Sequence, residues 1–217
     1  MKWLTTGTLL NINQELMSLC ANERNLFGQI ESFVLDQNDM KNFKAEIQNQ
    51  KEQQHSTKSL SRNNSSQSYE NNKSEQISPN QHKFQILKSA IETSFPDFDF
   101  SYATPDHFRY ILSPEAAQNS IYMSLSTYFT SAADFSSKLW LTLENEIQLN
   151  NCDIYSYEPT CTDAFTAMGS VWKMSYFFYN VKQKKIVHFH LREGGSAIED
   201  FGSDDDEINF NYEVDNT

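Results

Sequence analysis

Two histidines, His188 and His190, and three cysteines, Cys20, Cys152 and Cys161, are the side chains best suited to metal or nucleophilic chemistry in this chain. In a strand, residues two apart point to the same face. The two imidazoles could therefore form half of a zinc site, with Cys152 or Cys161 as a third ligand. No second pair with ligand spacing completes that set, so the preferred reading is a hydrogen-bonded or surface pair of histidines. A thiol nucleophile would need Cys152 or Cys161 activated by one of these imidazoles. Cys152 opens an apolar strand, where a packed and inert thiol is the ordinary outcome. Gly194-Gly195 precedes acids rather than a helix, and Gly28 stands alone in a strand, so neither makes a phosphate-binding loop. The expectation is a protein with no catalytic residue, no metal and no cofactor.

Charged side chains offer binding chemistry instead. Asp97-Phe98-Asp99-Phe100 alternates acid and aromatic directly after Pro96. It reads either as a turn whose carboxylates cap neighbouring amides over buried phenylalanines, or as acids presented to a basic partner. Asp204, Asp205, Asp206 and Glu207 form a second acidic candidate for partner binding. Lys182, Lys184 and Lys185 cluster at a predicted hairpin tip, as solvated turn residues or as a nuclear-import signal. Lys58-x-x-Ser61 and Arg62-x-x-Ser65 carry the spacing of basophilic kinase sites, and Ser78-Pro79 that of a proline-directed one. Ser59, Ser61, Ser65, Ser66 and Ser78 are the phosphorylation candidates; a phosphate there would change local charge by nearly two units.

The elements that must position these groups are legible as four zones. In residues 1–47 the pattern predicts a short helix from Thr8, strands at Leu16–Cys20 and Leu26–Leu35, and another short helix around Phe43 and Ile47. Residues 48–82 hold eight serines and only Leu60, Tyr69 and Ile77 as sizeable apolar side chains. Such a segment cannot bury enough surface to offset chain entropy and is expected to be a disordered insertion. Residues 83–192 are densest. Phe84, Leu87, Ile91 and Phe95 have helical spacing ended by Pro96, and Ala117, Ile121, Leu125 and Tyr128 give a second stripe. Leu139, Leu143 and Ile147, with Trp140, give a third. Strands follow at Cys152–Glu158, Ser170–Asn180 and Lys184–Arg192. The last two form an antiparallel hairpin, and the run Tyr176-Phe177-Phe178-Tyr179 is apolar on both strand phases, so both of its faces must be covered.

The expected architecture is α/β of the α+β type. It is a single domain with a roughly five-stranded antiparallel sheet flanked by helices, its sheet shared between residues 1–47 and 83–192. The acidic tail, 193–217, follows. That tail carries nine acids and no Lys or Arg, which leaves 20 acids against 17 bases in the rest of a chain of net charge −12. The nearly neutral remainder argues against a broad basic face for nucleic-acid backbone. After the acids, Ile208, Phe210, Tyr212 and Val214 alternate with Asn209, Asn211, Glu213 and Asp215. Period two suggests an extended segment on a partner or on its own domain, but a solvated acidic tail is the preferred reading. An odd cysteine count without close pairing fits reduced thiols in the cytosol or nucleus. Asn11, Asn13, Gln14 and Glu15 interrupt the N-terminal apolar run, which reads neither as a signal peptide nor as a membrane span.

Several ordered blocks resemble the Maf-one family of repressors of RNA polymerase III transcription. They are Phe27-Gly28-Gln29-Ile30-Glu31-Ser32-Phe33, then Phe95-Pro96-Asp97-Phe98-Asp99-Phe100-Ser101, then Leu139-Trp140 through Cys152-Asp153-Ile154-Tyr155-Ser156-Tyr157-Glu158-Pro159, and finally Trp172 through Phe189. Their order is similar to the family's three signature boxes, with a serine-rich insertion after the first. The resemblance implies a non-enzymatic repressor with an antiparallel sheet flanked by helices. It implies binding to the clamp region of RNA polymerase III and blocked recruitment to promoter-bound, TATA-factor-associated initiation factors under starvation or stress. It further implies restraint by nutrient-responsive kinases, reversal by a phosphatase, and shuttling between nucleus and cytoplasm. A monomer, with no nucleic-acid or membrane partner, is expected. The favoured mechanism is occlusion, in which the domain docks on the polymerase while the acidic tail competes for basic surface. The competing reading is a small-molecule sensor with a cavity lined by Tyr155 or Tyr176. An enzyme ranks third.

Overall fold

A computed structural model describes residues 1–23, 25–45, 48, 80–160 and 162–194. The aromatic run explains the layering. Side chains alternate along β5 (Ser170–Asn180), so Tyr176 and Phe178 enter one apolar cluster while Phe177 and Tyr179 enter another on the opposite face. Each fully buried ring contributes roughly 1.5–3 kcal/mol of transfer free energy. A strand apolar on both phases therefore demands helices on both faces.

Among the described residues a six-stranded antiparallel sheet runs around β5, one strand more than the sequence pattern predicts. In chain order its strands are β1 (Lys2–Trp3), β2 (Leu26–Val34), β3 (Phe108–Ile111), β4 (Cys152–Tyr157), β5 and β6 (Lys185–Gly194), and across the sheet they run β1-β2-β6-β5-β4-β3. β5 pairs β6 through the predicted hairpin, from Asn180↔Lys185 outward. β2 pairs β6 along its whole length, so the N-terminal residues complete the sheet of the C-terminal ones. The helices are α1 (Gly7–Cys20), α2 (residues 37–45), α3 (Gln81–Ser94), α4 (Pro114–Tyr128), α5 (Ala132–Ile147) and α6 (Ala164–Ala167). α1, α4 and α5 cover the face carrying Tyr176, Phe178 and Phe189; α3, α6 and Phe43 of α2 cover the face carrying Phe177 and Tyr179. No helix among the described residues is long and apolar enough to cross a membrane.

Two local expectations are corrected. Leu16–Cys20 is not a strand but the last turns of α1, whose buried stripe is Leu9, Ile12, Leu16 and Cys20. The three- and four-residue spacing is helical, and Thr6 caps the start by accepting the Leu9 N–H. The short strands β1 and β3, of two and four residues, were not predicted, because each is too brief to show a period. The helix expected around Phe43 is α2; Ile47 lies outside the described residues.

Gly28 shows how closely α1 lies on β2. A Cβ there would sit 2.6 Å from Leu191 Cδ1 and 3.1 Å from Leu16 Cδ2, both on fully buried side chains. Gly28→Val is expected to destabilise the fold by about 1–3 kcal/mol through overpacking. Urea unfolding measures this, and an unchanged midpoint would contradict the close approach.

Candidate functional site

The acid-aromatic turn follows the end of α3. Phe95 donates its N–H to Ile91 O, Pro96 prevents a further turn, and Phe98 N–H closes back on Phe95 O at 3.1 Å. The phenylalanines turn inward. Phe95, Phe98 and Phe100 pack on Phe165 of α6 with ring centroids 4.8, 5.3 and 5.5 Å away. The carboxylates stay at the surface. Asp99 Oδ1 accepts the Ser101 N–H at 2.8 Å, and that bond, with the Ser101 hydroxyl, holds its carboxyl below the usual range. Thus the amide-capping turn is present, and it leaves Asp97 and Asp99 exposed.

Both acids rim a pocket of about 390 Å³ that is open to solvent. Its other walls come from Tyr157 at the end of β4 and from Asp163, Ala164 and Met168 around α6. Asp163 is structural: it caps α6 by accepting the Thr166 N–H at 3.1 Å and pairs with Lys173 at 2.9 Å. Burial would raise its carboxyl, but hydrogen bonds from Lys173 and Thr166 outweigh burial and lower it. Apolar walls beneath an acidic rim suit a lysine or arginine side chain, whose stem can be buried while its head meets carboxylate. The wall beyond Asp97 and Asp99 was not predicted; Asp163-x-x-Thr166 as a helix cap was its only signal.

The lysine cluster is divided by the fold. Lys182 and Lys184 are exposed at the tip, where Asn180 Oδ1 accepts the N–H groups of Lys182 and Gln183 and Lys184 adopts a left-handed φ of +51°. Lys185 is not at the surface. Its Nζ donates to Glu146 O at 2.8 Å and to Glu146 Oε2 at 2.9 Å, and the two side chains are only 11% and 7% exposed. Beside it, Asn180 Nδ2 donates to Ile147 O at 2.8 Å. The two residues cap the C-terminal carbonyls of α5, an end where a cation is favoured. Lys185 is therefore removed from the candidate import cluster.

The histidine pair is buried on one face of β6, both rings against Phe95, as predicted from the spacing. His188 Nδ1 meets the Ser94 hydroxyl at 2.7 Å and Nε2 the Ser175 hydroxyl at 2.8 Å, and its ring stacks on Phe177 at 4.3 Å. Burial, with the neighbouring His190, holds His188 well below the ordinary imidazole range. His190 is lowered to about 3 by burial and the Arg192 charge. Glu31 Oε2 lies 4.0 Å from His188, and burial pushes its carboxyl up to about 6. Among the described residues no group of three His, Cys, Asp or Glu is placed to hold a metal.

Burial, then Glu144 and Asp153, push the Cys152 thiol up to about 12, which disfavours the nucleophilic thiolate. Tyr155 and Tyr176 both pack in core, Tyr155 against Tyr110 and Tyr176 donating its hydroxyl to Ser120 at 2.7 Å. Cys161, Ser59, Ser61, Ser65, Ser66, Ser78, Asp204, Asp205, Asp206 and Glu207 lie outside the described residues.

The family model described as Maf1 regulator matches residues 26–190. The chain is 37% identical over 136 residues to a protein of Dictyostelium discoideum named repressor of RNA polymerase III transcription, covering 58% of this chain and 49% of that protein. A Schizosaccharomyces pombe protein named repressor of RNA polymerase III transcription maf1 is 27% identical over 129 residues, covering 58% and 54% of the two chains. The chain thus spans about half the length of these curated relatives. Among solved structures, a crystal structure of citrus MAF1 shares the fold with a TM-score of 0.57 at 22% identity, covering 87% of this chain and 99% of the other.

Proposed function

The chain belongs to the Maf1 regulator family, and from that premise we propose that it represses transcription by RNA polymerase III as a non-enzymatic binding protein. The observation that carries this reading is the family match across residues 26–190, which takes in the sheet from β2 to His190 of β6. The protein docks on the clamp region of the polymerase and blocks its recruitment to promoter-bound, TATA-factor-associated initiation factors. The rim of Asp97 and Asp99, over apolar walls, supplies a contact for a basic side chain of the partner. Asp204, Asp205, Asp206 and Glu207 compete for basic surface near the DNA path.

Regulation acts through the serine-rich segment between α2 and α3. Phosphorylation of Ser59, Ser61, Ser65, Ser66 or Ser78 by nutrient-responsive kinases restrains repression, a phosphatase restores it, and the protein moves between cytoplasm and nucleus as a monomer. Lys182 and Lys184 remain the import candidates.

The double substitution Asp97→Asn, Asp99→Asn tests the contact. Asparagine keeps an oxygen acceptor for Ser101 but removes the charge, so the unfolding midpoint should hold. Affinity for purified polymerase III should fall on the order of tenfold at low salt and less at high salt. Equal affinity in both proteins at low salt would sink this site.

A further inference from the structure

β2 has an open edge over its first half. β1 covers Phe33 and Val34, the Leu4 N–H reaches Ser32 O, and Asn13 of α1 takes both outward backbone groups of Ile30 at 2.7 and 2.8 Å. Strand alternation aims the backbone groups of Gly28 and Leu26 outward in the same way. Among the described residues no hydrogen bond reaches them from that side. A groove of about 590 Å³ runs along this stretch. On one side lie Met17, 66% exposed, and Cys20 of α1; on the other lie Gln29, His190 and Arg192, with Phe27 beneath the Arg192 guanidinium and Phe95 against His190. His190 Nδ1, buried at the groove, has no hydrogen-bond partner among the described residues.

We propose that residues 208–215 of this chain dock here as an added strand along Leu26–Gln29. An open edge takes an extended segment through main-chain hydrogen bonds, and alternate side chains then fall on opposite sides of the sheet. The segment and the groove match in that alternation. Ile208, Phe210, Tyr212 and Val214 would face Met17 and Cys20, while Asn209, Asn211, Glu213 and Asp215 would face Gln29, His190 and the Arg192 cation. The chain also leaves the sheet at the right place. The Gly194 N–H donates to Asn25 O at 2.9 Å, so β6 ends beside the start of the open edge. The 13 residues from 195 to 207 span up to about 40 Å when extended, several times the length of the edge.

The test measures amide exchange by NMR on the isolated full chain, so its result does not depend on the polymerase reading. The Gly28 amide should exchange at least tenfold more slowly than in the full chain carrying Phe210→Asp and Tyr212→Asp. A chain ending at residue 207 should lose the same protection, and a peptide of residues 207–217 added in excess should restore it. Protection should not vary with protein concentration. Equal exchange in all three proteins would overturn the proposal, and protection that rises with concentration would assign the edge to a second copy instead.

Discussion

Acidification from pH 7 to about pH 4.5 is expected to destabilise the folded chain by on the order of 3 kcal/mol, chiefly through His188 and His190. Both imidazoles are held neutral inside the sheet–helix interface. In the unfolded chain each titrates near ~6.5, and each costs about 1.4 kcal/mol per pH unit below that value. Their contribution is fully present above pH ~6.5 and is lost as the pH falls toward the folded value, about 3 for His190. Glu31 works in the opposite sense. Its folded carboxyl, raised to about 6, binds a proton earlier than in the unfolded chain. Its contribution is present at low pH and lost as pH rises through about 6, which offsets roughly 2 kcal/mol of the histidine loss. Arg192 adds to the repulsion that keeps His190 neutral. Urea midpoints between pH 7 and 4.5 measure the slope, and His190→Leu should remove about half of the histidine part. An unchanged slope in that variant would mean that His190 takes up its proton as readily in the fold as in the unfolded chain.

The second large effect belongs to Lys185. Lys185→Met should cost about 3–5 kcal/mol, because it strands the Glu146 carboxylate and the last carbonyls of α5 without their cation. Burial tends to raise the Glu146 carboxyl, but hydrogen bonds from Thr6, Thr8 and Lys185 bring it below its usual value. Glu146 therefore ties the N-cap of α1, the end of α5 and the start of β6 into one network. Adding Glu146→Gln to Lys185→Met should recover much of the loss, since the stranded charge is then gone. A single-variant cost under about 1 kcal/mol would show a pair screened by solvent rather than buried. Loss of that pair would act on folding, so only Lys182→Ala with Lys184→Ala, at the exposed tip, tests the proposed import role.

Where the sequence was informative, the physics was periodic. The tetrad Tyr176–Tyr179 required cover on both sheet faces, and the stripes of α3, α4 and α5 carried the 3.6-residue period long enough to be read. Leu16–Cys20 misled because five residues, taken alone, do not separate a helical stripe from a strand; the period appears only with Leu9 and Ile12. The two short strands carried too few residues to show alternation. For the candidate site, Asp97 and Asp99 were legible from the proline-ended helix before them. The opposite wall was not, since Asp163 and Met168 lie more than 60 residues further along and meet the turn only through the fold. Lys185 was misplaced for a similar reason. A basic turn residue reads as solvated until its partner, 39 residues earlier, is known.

Repression of RNA polymerase III through direct binding is tested most directly by affinity purification of the tagged full chain from fed and starved cells. Polymerase III subunits should co-purify, more abundantly after starvation, and less with Asp97→Asn, Asp99→Asn. Recovery of the intact, folded protein without polymerase III subunits in either condition would contradict the account.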